Sequence, residues 1–266
     1  MTLPHPPASS APARRAAARH GARRRLLLLQ LSAWLAPAWL AAGCANPAPT
    51  ERGQVQGAQY EHSEWLQSEG NRITQAAMRA NLLSLRLLAD KLYRRNPAEW
   101  RKSATSLEAA LARLDTAIGD AQPWPALHGK RDVAALSAAL APDFSGDRVG
   151  AFIYACADTI IAAHGGKQAF YYLDGIDPQH IYNAARNMEI ALWILNSRRD
   201  AASRPLLMAN EIGPAGRNLS FEREFGKIIG RLDLLANYMT ERYRRAVIGY
   251  VQSLLTAPLL AFLPVK

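Results

Sequence analysis

The sequence predicts an all-α fold, a helical bundle of four to five long helices with short helices between them. Three observations carry that reading. Apolar residues recur at three- and four-residue steps through several long segments, the spacing of one helix face. Two segments open on a capping residue followed by proline, Asn96-Pro97 and Asp177-Pro178, the signature of a helix start. No stretch of any length alternates apolar and polar residues as a half-buried strand does, and no internal repeat of 20–50 residues stands out.

Taken in order, the first helical pattern runs from about Tyr60 to Arg95, on Leu66, Ile73, Ala77, Ala80, Leu83, Leu87 and Leu88. Gly70 weakens its early turns. Asn96 then suits an N-cap, Pro97 the first turn, and Glu99 the third position of a second helix through Trp100, Leu107, Leu111, Leu114 and Ile118, ending at Gly119. The two segments predict an antiparallel hairpin. Residues 119–130 read as a loop, with Pro123 and Pro125 around Trp124, and a short helix follows over about Asp132–Leu140. Pro142 to Gly146 breaks the chain again. Asp147–Ala163 is apolar on nearly every face, which places it in the middle of a bundle. It holds Asp147 and Asp158 and is too short for a bilayer span. After the aromatic turn 167–177, Pro178 to about Ser197 forms a helix with Ile181, Ala184, Ala185, Met188, Ala191, Leu192 and Leu195 on one face. Residues 198–218 are irregular, with a short turn or strand at Leu206–Met208. The last helix runs from near Ser220 to about Leu255, and Glu222 and Glu224 suit the positive end of its dipole. The apolar tail beyond it is expected to pack on the domain.

Ahead of the domain stands Arg23–Cys44, RRRLLLLQLSAWLAPAWLAAGC. A cationic start, an apolar core of roughly 15 residues and small residues before a cysteine are the parts of a secretory signal. The segment resembles the signal sequence and lipobox of bacterial lipoproteins. That resemblance implies that Cys44 receives a diacylglyceryl group and that the chain is cut before it, with Ala42 and Gly43 as the small residues of the cut. Ala41 departs from the pattern, where leucine is commonest. It also implies acyl chains, palmitate among them, holding the protein on a membrane. Ala45 follows the cysteine instead of an inner-membrane aspartate, which favours the outer membrane, facing the periplasm. Residues 1–43 are thus expected as a signal peptide, 44–58 as lipidated cysteine and flexible tether, and 59–266 as a single α-helical domain. Within residues 146–256, the runs RVGAFIYACADTII, YYLDGIDPQHIYNAARNMEIALWIL and RNLSFEREFGKII resemble uncharacterised proteobacterial envelope lipoproteins. No activity comes with that resemblance.

The net charge of +10 is mostly a property of the leader. Removing its six arginines from the 32 basic residues leaves 26 against 22 acidic ones. With no dense basic run interleaved with aromatics, no nucleic-acid partner is expected. If Cys44 carries lipid, Cys156 has no partner for a disulfide, and its apolar surroundings predict a core residue.

The polar candidates are few. Asp158 sits on an otherwise apolar helix, where a carboxylate needs a cation or a raised pKa; Arg186 or Arg223 is the expected partner. Asn183, Arg186, Asn187 and Glu189 form the densest polar stripe on the helix from Pro178. They predict either a register-fixing network or a small ligand pocket with Tyr182 and Asp158 nearby. Glu222, at the start of the last helix, is expected to face this stripe in one charged seam. His164, Asp174, Asp177 and His180 flank the aromatic turn, but their spacing matches no zinc or di-iron signature. His164 reads as a helix C-terminal residue favoured by the dipole and Asp177 as an N-cap. No metal site, cofactor or nucleophile motif is assigned. The first reading is a lipid-anchored, non-enzymatic structural or binding protein of the cell envelope, with an envelope protein as candidate partner. The alternative is a small-ligand-binding protein or enzyme using a seam of Asp158, Arg186, Glu189 and Glu222. A third is lipid handling, from the aromatic cluster at 170–172 and the apolar tail.

Overall fold

The structure is a computed structural model that describes residues 67–171, 174–213 and 216–260, together with two-residue strands at 49–50 and 53–54. The expected leader, Cys44, the turns before Gln67 and the tail 261–266 lie outside the described residues. Within the segment read as a tether, β1 (Pro49–Thr50) pairs antiparallel with β2 (Gly53–Gln54). The helices belong to a separate unit, His62–Lys266.

That unit is all-α. Its long helices are α1 (Glu69–Arg95), α3 (Leu107–Gly119), α5 (Arg148–Ala163), α6 (Pro178–Ser197) and α7 (Ser220–Leu260). Shorter ones are α2 (Pro97–Trp100), a 3-10 turn at Pro125–Leu127 and α4 (Asp132–Ala139). A small antiparallel ribbon, β3 (Glu211–Gly213) with β4 (Gly216–Asn218), lies in the region read as irregular.

Helix α5 is the middle of the bundle, as its apolar composition predicts: α1, α3, α4 and α6 all pack on it. Phe152, Ile153, Cys156 and Ile160 are buried, and small residues between them let neighbours approach. At Gly150 a Cβ would lie 2.5 Å from the Trp124 ring, so the loop tryptophan seats directly on the helix backbone. Cys156 is a core residue, and burial pushes its thiol pKa up. Helix α7 lies against α6 and α1. Antiparallel packing of α1 on α3 gives the expected hairpin, with Arg86 Nε donating to Asp115 Oδ2 at 2.8 Å.

Three local expectations are corrected. The helix expected from Pro97 through Gly119 is broken at 101–106, because the Ser106 side chain accepts from Ala109 N and starts a new helix. Asn96 holds the N-cap position of α2, but its side chain does not cap the helix; it donates to the Leu92 and Met208 carbonyls and accepts from Met208 N, fastening α1 to the segment before the ribbon. And α1 is rotated from its apolar stripe. Ile73, Leu83 and Leu87 are exposed, Leu83 by 71%, whereas Asn71, Thr74, Asn81 and Ser84 are buried beside Met78, Leu85, Leu88 and Leu92. Those polar groups face inward because partners meet several of them. Arg231 of α7 donates to Asn81 Oδ1 at 3.3 Å and Ser84 Oγ at 3.0 Å, and Asn71 donates to the Tyr171 carbonyl.

Candidate functional site: separated polar clusters around the central helix

The candidate residues do not converge. Asp158, on α5, pairs with Arg131 at the start of α4, which corrects the expectation of Arg186 or Arg223. The guanidinium grips it in a fork, Nη2 to Oδ1 at 2.6 Å and Nε to Oδ2 at 3.0 Å. The pair lines an open cleft of about 450 Å³ between α3, the 3-10 turn and α5. Trp124, Leu127, Ile118 and Ile161 form its apolar walls. Tyr154, one turn before Asp158, is tilted against Trp124 with ring centroids 5.8 Å apart. Burial and the Asp158 carboxylate raise the Tyr154 pKa, so its hydroxyl stays protonated. Chemically this is an apolar slot whose lining includes an ion pair and a phenol. It could hold a small molecule with a flat apolar body and a polar head.

Arg186 lies elsewhere, on the α6–α7 contact. Its Nη2 donates to both oxygens of Asp233 at 2.8 and 2.9 Å and pairs with Glu189 at 3.1 Å. The Tyr182 ring stacks under the guanidinium, 4.8 Å away. Glu222 sits on the same helix pair but further along α6. Its Oε1 accepts from Asn196 at 2.7 Å and from Asn210 at 3.1 Å. Ten residues of helix, roughly 15 Å of rise, separate Asn196 from Arg186. The expected seam therefore exists as two distinct contacts, and neither includes Asp158.

Asn183 and Asn187 border a shallower groove with His180, Asp132 and Thr159. Asn183 accepts from Gln179 at 2.9 Å. Asp177 caps α6 as expected, accepting from Gln179 N, and its carboxylate is 4.0 Å from exposed His180. Asp174 holds Lys167 and the Tyr171 amide, which lower its pKa. Among the described residues, no three His, Cys, Asp or Glu side chains cluster as metal ligands do.

His164 ends α5, but not as a cation favoured by the dipole. It is 1% exposed, and burial lowers its pKa. The neutral ring donates from Nδ1 to the Ile160 carbonyl at 2.7 Å, leaving Nε2 as an acceptor without a partner among the described residues.

The most buried polar cluster was not singled out from the sequence. Asp147 N-caps α5 with Oδ1 on Gly150 N at 2.9 Å, while Oδ2 accepts from Tyr93 Oη at 2.7 Å and Ser103 Oγ at 3.0 Å. Beside it Glu99 accepts from Arg148 N at 2.8 Å and is paired with Lys102. Two carboxylates thus cap one helix, and α1, α2 and α5 meet there. Burial raises the Asp147 pKa, the three donors pull it back, and Glu99 adds to the rise. A capping residue spaced this way is legible only once Tyr93 and Ser103 are known to reach it.

No protein-family model matches this chain. Comparison with curated proteins and with solved structures finds no match either.

Proposed function

We propose that the chain is a lipid-anchored protein of the cell envelope whose helical domain binds or braces, and that chemistry is not its task. The observation that carries the domain half of this reading is dispersal. Asp158, the paired Arg186 and Glu189, and Glu222 are engaged in three separate contacts. Catalysis by acid and base asks for groups within hydrogen-bond reach of one reacting atom. Closed pairs distributed over a bundle do the work of fixing helix register instead. The anchor half rests on the residues Arg23–Cys44, with Cys44 as the acylated position and the periplasmic side of the outer membrane as destination.

The test reads the protein's own N-terminus. Expressed in a lipoprotein-processing bacterium, the full chain is expected to yield a mature form starting at Cys44 with the mass of its acyl chains, and to incorporate labelled palmitate. Cys44→Ala should abolish both. A mature N-terminus elsewhere, or incorporation that survives Cys44→Ala, overturns the anchor.

A second reading has one specific observation behind it, the cleft of Trp124, Tyr154, Arg131 and Asp158. It makes the domain a small-ligand carrier. Native mass spectrometry of protein purified from the expressing envelope decides it. A reproducible extra mass that Tyr154→Ala removes favours the carrier, and a bare chain favours the bracing domain.

A further inference from the structure

Helix α7 has two halves with different surroundings. In the first, Phe221, Phe225, Ile228, Leu232, Leu235 and Met239 are buried against the bundle. From Glu241 to Leu254 every residue is exposed. Contacts to the domain fade at the junction, where Tyr243 Oη donates to the Ile176 carbonyl at 3.1 Å and Arg242 reaches Ser68 Oγ at 3.5 Å. The exposed half does not turn polar. Val247 and Tyr250 are each 66% exposed and Leu254 57%, and they continue the buried stripe at helical spacing with Val251 beside them. Three arginines, Arg242, Arg244 and Arg245, collar the start of this stretch against a single acid, Glu241. Beyond the collar the sequence from Ala246 to Val265 has no charged residue at all.

A helix leaving its domain in water is normally charged on the sides that nothing covers. A seam with a second copy would also carry charges flanking the apolar stripe, which set register and keep the helix soluble. Here the charges stop at Arg245, and none flanks the stripe beyond it. The order is instead cationic collar, then tyrosine and aliphatic residues, then further uncharged sequence. That is the layout of a segment seated in a bilayer interface, with cations on headgroup phosphates and apolar side chains below them. Tyrosine suits the headgroup level because its ring is apolar and its hydroxyl wet. None of the described helices is long and apolar enough to cross a membrane.

We propose that the distal half of α7 docks on a lipid bilayer with anionic headgroups. Val247, Val251 and Leu254 enter the acyl boundary, Tyr250 lies at the headgroups, and Arg244 and Arg245 meet phosphate. The contact is independent of any acyl chain on Cys44. It would give the domain a second attachment besides the acyl chains and so restrict its orientation over the membrane.

The test uses the chain from Ala45 to Lys266, which keeps the whole His62–Lys266 unit and lacks both leader and acyl chain. The chain is expected to cosediment with vesicles of phosphatidylethanolamine and phosphatidylglycerol, and far less with phosphatidylcholine alone. Arg244→Gln with Arg245→Gln should weaken binding by roughly 30-fold, from about one cation's surface attraction each. Val247→Asp with Leu254→Asp should abolish it. All four positions are exposed, so the thermal midpoint of each variant should match the parent. Failure to cosediment overturns the proposal, as does binding indifferent to both double variants. So does a stable dimer by light scattering that Val247→Asp dissociates, since the occupant is then a second copy.

Discussion

Asp147 and Asp158 are three turns apart on the same central helix and hold opposite positions. Asp147 is 4% exposed and has no cation in direct contact among the described residues; two hydroxyls and one backbone amide hold it. The Asp158 side chain is 15% exposed and sits in the fork of Arg131, whose own side chain is 62% exposed. One carboxylate is buried and served by neutral donors, the other is at a cleft rim and served by a charge. The difference teaches where polar groups do structural work here. A dry neutral network is costly to break, because each donor left behind has no water to turn to. A wet ion pair is cheap, because solvent replaces the partner.

The largest break in that comparison is Asp147→Ala. It removes the N-cap of α5, strands Tyr93 Oη in the core and takes the acceptor from half-buried Ser103 Oγ. A cost of about 3–4 kcal/mol is expected, read by urea unfolding. Tyr93→Phe keeps the shape and removes one donor to the carboxylate; about 2 kcal/mol is expected. Equal, small effects of both would mean that water reaches the cluster and that its burial is not what holds the three helices together.

The pH dependence sharpens the same point. The folded-state pKa of Asp147 is raised above its ordinary value of 3.8 by burial. The folded chain therefore keeps its proton where the unfolded chain has lost it. Asp147 contributes most below pH 3.8, and its contribution declines as pH rises through the raised value. Asparagine also N-caps and does not titrate. The cost of Asp147→Asn should accordingly be greatest in acid and shrink toward neutral pH. A cost that grows with pH would mean a depressed pKa and a cation the geometry does not show. His164 acts in the opposite direction. Its pKa is lowered from 6.5 by burial, so the chain loses stability as pH falls below about 6.5, where the unfolded imidazole takes a proton.

The same contrast explains what could be seen in the sequence. Periodicity finds elements, because burial of an apolar face is a property of the segment itself. The central placement of α5, the Asp177-Pro178 start of α6 and the helical spacing of α7 all follow from residues close in sequence. Partners are properties of two distant segments. Asp158 looks stranded among apolar neighbours, yet Arg131 comes from a helix 27 positions earlier. Asp147 looks like an ordinary cap until Tyr93, 54 positions away, is placed over it. Helix α1 shows the rule at the level of a face. Counting apolar residues alone selected Leu83 and Leu87, but Asn81 and Ser84 are inside because Arg231 meets them. A polar residue with a partner can be core, and the partner is what one segment cannot reveal.

The smallest expected effect separates the two aspartates most cleanly. A double-mutant cycle isolates the coupling between two side chains from the cost of removing each. For Arg131→Ala and Asp158→Ala the coupling should be below about 1 kcal/mol, since Arg131 is largely in water and salt screens the pair. Raising salt should shrink it further. For Tyr93→Phe and Asp147→Ala the coupling should be larger, about 1–2 kcal/mol, and indifferent to salt, because neither partner sees the ions. A strong, salt-resistant coupling between Arg131 and Asp158 would mean that the cleft is closed from solvent in solution. The slot beside Trp124 and Tyr154 would then be dry enough to hold a ligand, and the carrier reading would displace the bracing one.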